Sequence, residues 1–137
     1  MTRVALVVED DPSLQREMVK HLEHASFAVL TAFDFSTAVR HLTHPRLHVA
    51  CIDLGLPSES GYELCEHIRG CPELRALPIL VTSDRGFPED MAYAEVAGAN
   101  AFLKKPFTMP KLLTYVSALL DRAPVSRPNV RALRLGY

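Results

Sequence analysis

Cysteine is scarce and unpatterned in this chain. Its three copies in 137 residues, Cys51, Cys65 and Cys71, make no C-x-x-C pair and leave an odd count. That argues against a disulfide framework and fits a reducing, cytosolic setting. Neither sign of charge dominates, since 15 Lys and Arg face 16 Asp and Glu for a net charge of -1. The chain therefore has no general pull toward nucleic acid or an anionic membrane. No apolar run approaches the roughly 20 residues a spanning helix needs. The start, Met1-Thr2-Arg3 and five apolar residues, runs straight into acids and is too short for a signal peptide. Internal repeats and low-complexity tracts are also missing. What remains is a soluble, cytoplasmic globular protein. At 48% hydrophobic and 23% charged, its 137 residues suffice for one domain with a sizeable core.

Short apolar runs that end in polar residues are what the chain does have. Val4-Ala-Leu-Val-Val8 leads into Glu9, Asp10 and Asp11, and Leu47 to Ile52 leads into Asp53. Ile79-Leu-Val81 ends in Thr82 and Ser83, and Ala101-Phe-Leu103 precedes Lys104, Lys105 and Pro106. Each run is too short for a helix of its own and reads as a strand, over 3–8, 47–52, 79–81 and about 100–103, with a further strand at 27–32. Helical segments separate them. Asp11-Pro12 supplies an N-cap and a first-turn proline for a helix reaching about residue 25, with Leu14, Met18 and Leu22 on one face. Further helices are expected from Asp34 or Ser36 to before Pro45, from 61 to 69, from Pro88 to Gly98, and from Pro110 to about 121. Five strands alternating with five helices require a parallel sheet covered on both faces, a three-layer α/β sandwich. Past Arg122 the composition changes, so residues 1–122 are assigned to the domain and 123–137 to a basic tail or linker stub.

If the runs are parallel strands, their polar ends share the edge where open α/β sheets place ligand sites. Several carboxylates, a hydroxyl and an ammonium at one edge describe a site for a divalent cation and a phosphoryl group. A carboxylate can accept a phosphoryl group only if the repulsion between the two is neutralised, which a bridging divalent cation does. Mg²⁺ prefers hard oxygen ligands and keeps several waters, so Glu9, Asp10 and Asp53 meet its demand. Thr82 and Lys105 could then serve the remaining phosphoryl oxygens. Taken singly, each residue has a blander role, Asp11 as a helix cap, Thr82 as a strand-end hydroxyl, Lys105 as a solvated lysine. Their joint order is what carries weight.

Val7-Val-Glu-Asp-Asp-Pro12, Ile52-Asp-Leu-Gly-Leu-Pro57, Val81-Thr-Ser83 and Phe102-Leu-Lys-Lys-Pro-Phe107 resemble the signature segments of the response-regulator receiver domain, and the likeness spans residues 3 to about 121. The resemblance implies a flavodoxin-like sheet of order 2-1-3-4-5. It also implies that Asp53 accepts a phosphoryl group from a phosphohistidine on a histidine kinase or phosphotransfer protein. By the same likeness Asp10 ligates Mg²⁺, Glu9 acts through a water, and the carbonyl of Gly55 is a further ligand. Thr82 and Lys105 would bind the phosphoryl group, the latter aimed by a cis Lys105-Pro106 bond, with Lys104 solvated. Phe102 falls where the family carries an aromatic that swings inward as Thr82 is drawn to the phosphoryl group, switching the face formed by helix 4, strand 5 and helix 5 toward a downstream protein target. Phenylalanine has no hydroxyl for a partner to read. Gly55 and Asp84 would tune how fast water removes the phosphoryl group. The domain itself would be a phosphoacceptor rather than an enzyme acting on other substrates, monomeric or weakly dimeric.

Two rivals stay open at this point. A receiver-like scaffold could work by protein contacts alone. A flavin protein or an aspartate-nucleophile phosphatase could use the same fold, although Asp10-Asp-Pro-Ser13 is acidic where a flavin loop is rich in Ser, Thr and Gly, and Gly55 stands where such phosphatases carry a second aspartate. The pairs His21/His24 and His41/His44 have a metal-compatible spacing but no evident third ligand, and read as solvated helix faces. Cys51 reads as a buried strand residue.

Overall fold

The computed structural model describes residues 2–57 and 59–121. Its elements alternate as the apolar runs require: β1 (Arg3–Val8), α1 (Pro12–His24), β2 (Phe27–Ala32), α2 (Phe35–His41), β3 (Leu47–Asp53), α3 (Gly61–Arg69), β4 (Ile79–Ser83), α4 (Pro88–Ala97), β5 (Ala101–Lys104) and α5 (Met109–Leu120). The five strands form one parallel sheet in the order β2-β1-β3-β4-β5. The expected sandwich and strand order are therefore both present. The expected tail over 123–137 lies outside the described residues.

Alternation along the strands divides the core into two layers, as successive side chains must point to opposite faces. Leu6, Val8, Ala50, Ile52, Ile79, Val81 and Phe102 face one layer with residues of α2, α3 and α4. Ala5, Val7, Val49, Cys51, Leu80 and Leu103 face the other, against Met18 and Leu22 of α1 and Leu112, Tyr115 and Val116 of α5. Both faces of the central strands are covered, so these runs show no polar alternation.

The helix starts are capped by the residues that turn chemistry favours. Asp11 accepts from the amides of Ser13 and Leu14, Asp34 from Thr37, Ser60 from Glu63 and Thr108 from Lys111. Helix α5 thus begins one residue before Pro110, because Thr108 is its cap. Helix α4 has no capping side chain at Phe87, and Asp90 instead reaches back to the Phe87 amide at 3.2 Å. It ends at Gly98, whose φ of 115° is a left-handed conformation open to glycine. One short element was not anticipated, a 3₁₀ turn over Pro72–Leu74.

Two polar features brace the ends of the strands opposite to the acids. Where the β1–β3 register shifts between Val4 and Ala5, His48 Nδ1 accepts the Val4 amide at 2.9 Å. Arg69, at the end of α3, donates to the carbonyls of Leu77 and Gly98, both at 2.8 Å, and to Asn100 Oδ1 at 2.9 Å. Asn100 Oδ1 in turn accepts the Ile79 amide at the start of β4.

Candidate functional site

Parallel pairing brings the polar strand ends together. Asp53 is the last residue of β3 and sits in register with Thr82 of β4, while the Leu54 amide donates to the Thr82 carbonyl at 2.9 Å. Glu9 follows β1, the neighbour of β3, and its amide donates to Ala32 at the end of β2. Carboxylate oxygens of Glu9, Asp10 and Asp53 all lie within 4.8 Å of one another. Lys105, just past β5, reaches across with its Nζ 2.9 Å from Glu9 Oε1 and 3.4 Å from Asp53 Oδ2. The Lys105-Pro106 peptide is cis, as expected from the resemblance.

Asp53 is oriented from both sides. The Gly55 amide donates to its Oδ1 at 2.9 Å, which leaves Oδ2 toward Lys105. A Cβ at position 55 would stand 3.6 Å from Asp53 Oδ1, an ordinary contact that this backbone could accommodate. Gly61 is tighter. A Cβ there would meet the Asp53 carbonyl and the Leu54 Cα well inside van der Waals distance, so the start of α3 can lie against the end of β3 only as glycine.

Burial makes the cluster electrostatically expensive. Glu9 is 1% exposed and Asp53 4%, whereas Asp10 is exposed. Loss of hydration pushes the Glu9 carboxyl up to about 7, against the opposing pull of Lys105 and the Asp11 amide. Burial also raises Asp53, partly offset by the Gly55 amide. Burial alone would lower the Lys105 ammonium, but Glu9 and Asp53 together hold it above its usual range. Glu9 Oε1 is buried and accepts no hydrogen bond of regular geometry, having only its ion pair with Lys105. Three carboxylates with one ammonium form a hard-oxygen set short of positive charge, and that set suits a divalent cation such as Mg²⁺.

The remaining expected residues fall into place unevenly. Thr82 is buried at the rim beside Asp53, and Ser83 is buried with its Oγ accepting the Arg85 amide at 3.0 Å. Lys104 is exposed. Phe102 is already inside the core at 2% exposure, so the outward position of the expected swing is not the one seen. A groove of about 370 Å³ opens next to Lys105, lined by Asp11, Leu14, Asp84, Phe107 and Met109 among others. His41 is not a merely solvated residue, because its Nε2 contacts the Thr31 carbonyl at 2.9 Å. Among the described residues the acidic trio is the only cluster of three or more His, Cys, Asp or Glu side chains with metal-binding proximity. Sequence reasoning missed Gln15, a buried residue of α1 whose Nε2 donates to the Glu9 and Ala32 carbonyls. Its only trace in the sequence is a polar residue beside the apolar stripe of α1.

A doubly covered parallel sheet of order β2-β1-β3-β4-β5, with an acid trio, hydroxyl and lysine at one edge, belongs to the flavodoxin-like class of folds. The sequence profile of the response regulator receiver domain matches residues 5–117, and the chain belongs to that family, the receivers of two-component systems. It is 30% identical over 122 residues to the phosphate regulon transcriptional regulatory protein PhoB of Escherichia coli strain K12, an alignment covering 89% of this chain and 53% of that protein. A PhoB of Rhizobium meliloti is 34% identical over 117 residues, covering 85% of this chain and 52% of its own. The chain thus spans about half the length of these curated relatives. Among solved structures, the chemotaxis response regulator CheY4 of Vibrio cholerae superposes with a TM-score of 0.83 at 27% identity, covering 88% of this chain and all of the other. No helix among the described residues is long and apolar enough to cross a membrane.

Proposed function

We propose that this chain accepts a phosphoryl group on Asp53 from a phosphohistidine of a partner histidine kinase or phosphotransfer protein, with Mg²⁺ held by Glu9, Asp10 and Asp53. The observation that carries this is the convergence of three carboxylates and Lys105 from three segments, after β1, β3 and β5, onto one strand edge. In the transfer, a carboxylate oxygen of Asp53 forms the new O–P bond as the P–N bond to the donor imidazole breaks and its electron pair returns to that nitrogen. When bound, Mg²⁺ supplies the positive charge that lets phosphoryl oxygens approach a carboxylate. Asp10 would ligate it directly, Glu9 through a water, and the Gly55 carbonyl would add a protein oxygen. The Gly55 amide holds Asp53 by its Oδ1. Lys105, already on Asp53 Oδ2, would exchange part of that pairing for a phosphoryl oxygen, and the Thr82 hydroxyl would donate to another. The groove beside Lys105 adjoins the same edge of the sheet.

The domain is a phosphoacceptor that assists its own transfer rather than an enzyme acting on other substrates. Its place is the cytoplasm, and its output is a shift in population of the α4–β5–α5 face, with Thr82 and Phe102 as the moving parts, read by a downstream protein. Gly55 and Asp84 would set the rate at which water removes the phosphoryl group. Incubation with acetyl phosphate and Mg²⁺ followed by intact-mass measurement tests the core reading. The wild type should gain one phosphoryl group, and neither Asp53→Asn nor wild type in chelator should. Labelling of Asp53→Asn at the wild-type level would refute it.

A further inference from the structure

We infer that Gln15 is a positioning residue for the acid pair at residues 9 and 10, and so sets the Mg²⁺ affinity of the site. This rests on the reading under Proposed function and adds to it a residue outside the acid–threonine–lysine set.

Three chain segments meet at this side chain. Gln15 lies in the first turn of α1, its own amide bonded to the Asp11 carbonyl at 2.9 Å. It is 6% exposed, and its Nε2 donates to the Glu9 carbonyl at 3.1 Å and to the Ala32 carbonyl at 3.0 Å. The Ala32 carbonyl also accepts the Glu9 amide at 3.1 Å. The peptides before and after Glu9 are therefore both anchored, one by the end of β2 and one by Gln15. The plane of the second peptide places the Asp10 Cα, and with it the one exposed carboxylate of the trio. On the far side of the loop the Asp11 amide returns to Glu9 Oε2 at 3.1 Å.

This bracing opposes a specific force. Glu9, Asp10 and Asp53 repel one another, and the segment carrying the first two would relax away from Asp53 if it were free to move. Relaxation would spread the oxygens that a small cation needs at short, near-octahedral distances. Groups that hold ligands in place commonly change metal affinity by tenfold or more when removed. A carboxamide is suited to the task because one nitrogen carries two hydrogens for two carbonyls. Glutamate has the same shape and no hydrogen to give, and a methionine fills the space alone.

Gln15 is the only glutamine in the chain, so selective labelling of the glutamine side-chain amide marks it alone and sets it apart from Asn100 and Asn129. The test is calorimetric titration of Mg²⁺ into the wild-type and Gln15→Met chains, with phosphoryl uptake from acetyl phosphate measured across Mg²⁺ concentrations. Gln15→Met should bind Mg²⁺ about tenfold more weakly. Its half-saturating Mg²⁺ should rise by the same factor while uptake at saturating Mg²⁺ stays within about twofold of wild type, a split that a role in general stability would not produce. Wild-type Mg²⁺ affinity in a folded Gln15→Met overturns the inference and leaves the phosphoacceptor reading standing. A wild type that neither binds Mg²⁺ nor takes up phosphoryl overturns both. If Gln15→Met fails to fold, the wild-type Gln15 amide protons decide: slow exchange and a resonance shift on adding Mg²⁺ support positioning, and fast exchange with no shift overturns it.

Discussion

At the scale of single residues, Lys105 and Glu9 depend on each other. The ammonium 2.9 Å from Glu9 opposes the burial that raises this carboxyl, and removing that ammonium leaves two buried carboxylates without a counter-charge. Lys105→Ala should therefore lower stability at pH 8 in chelator by about 2–4 kcal/mol, read as a fall in melting temperature. It should also weaken retention of the phosphoryl group and the downstream response. A wild-type melting temperature and response would contradict its assigned place. Glu9 offers a test of sign. Its carboxyl ionises near 4.5 in an unfolded chain and at about 7 in the fold, so between those values the folded state holds a proton that the unfolded state has released. Stability from this group is thus greatest at low pH and declines as pH rises through roughly 4.5 to 7, by up to about 3 kcal/mol. Comparing metal-free melts of wild type and Glu9→Gln across that window isolates the effect. The variant should lose less stability with rising pH, and an equal or steeper loss would show that the carboxyl is not raised.

Among the elements, the decisive contacts are close approaches and single polar stitches. Gly61 packs α3 against the Asp53 backbone with no room for a side chain, so Gly61→Ala should cost about 1–3 kcal/mol as the helix is displaced. It should also disturb the acceptor, checked by melting and by acetyl phosphate uptake together. Loss of stability with wild-type uptake would show that α3 does not help place Asp53. At the other rim, His48→Ala removes the acceptor of the Val4 amide and should cost about 1–2 kcal/mol while leaving uptake unchanged.

These two positions also show what could be read in advance. The strands were legible because a doubly covered sheet demands uninterrupted apolar runs, and two helix starts because Asp11 and Asp34 advertise their caps. The site was legible because its charged groups stand just where those runs stop. His48 and Gln15 were not, since nothing in a linear sequence tells an inward polar side chain from an outward one until a backbone group is left wanting a partner. The Pro72–Leu74 turn was hidden by a stretch with neither periodicity. The sheet order came from the family likeness alone, because alternation of elements is compatible with several orders.

For the molecule as a whole, charge decides the state. With three carboxylates and one ammonium at the site, the metal-free domain carries uncompensated repulsion that a bound divalent cation relieves. Millimolar Mg²⁺ should raise the melting temperature at pH 7.5, and the increase should shrink toward pH 4.5 as Glu9 takes up its proton. An increase that is independent of pH, and that survives Asp10→Ala, would place the ion elsewhere.

The two rims of the sheet thus do different work. Like charges are crowded at the strand ends, while His48, Arg69 and Asn100 knit the strand beginnings with hydrogen bonds that touch no reacting group. Robustness and chemistry are therefore separately adjustable in this fold. Chains with a reinforced lower rim should tolerate experiments at the upper one, such as changed acceptor surroundings or altered metal preference, that would unfold the parent.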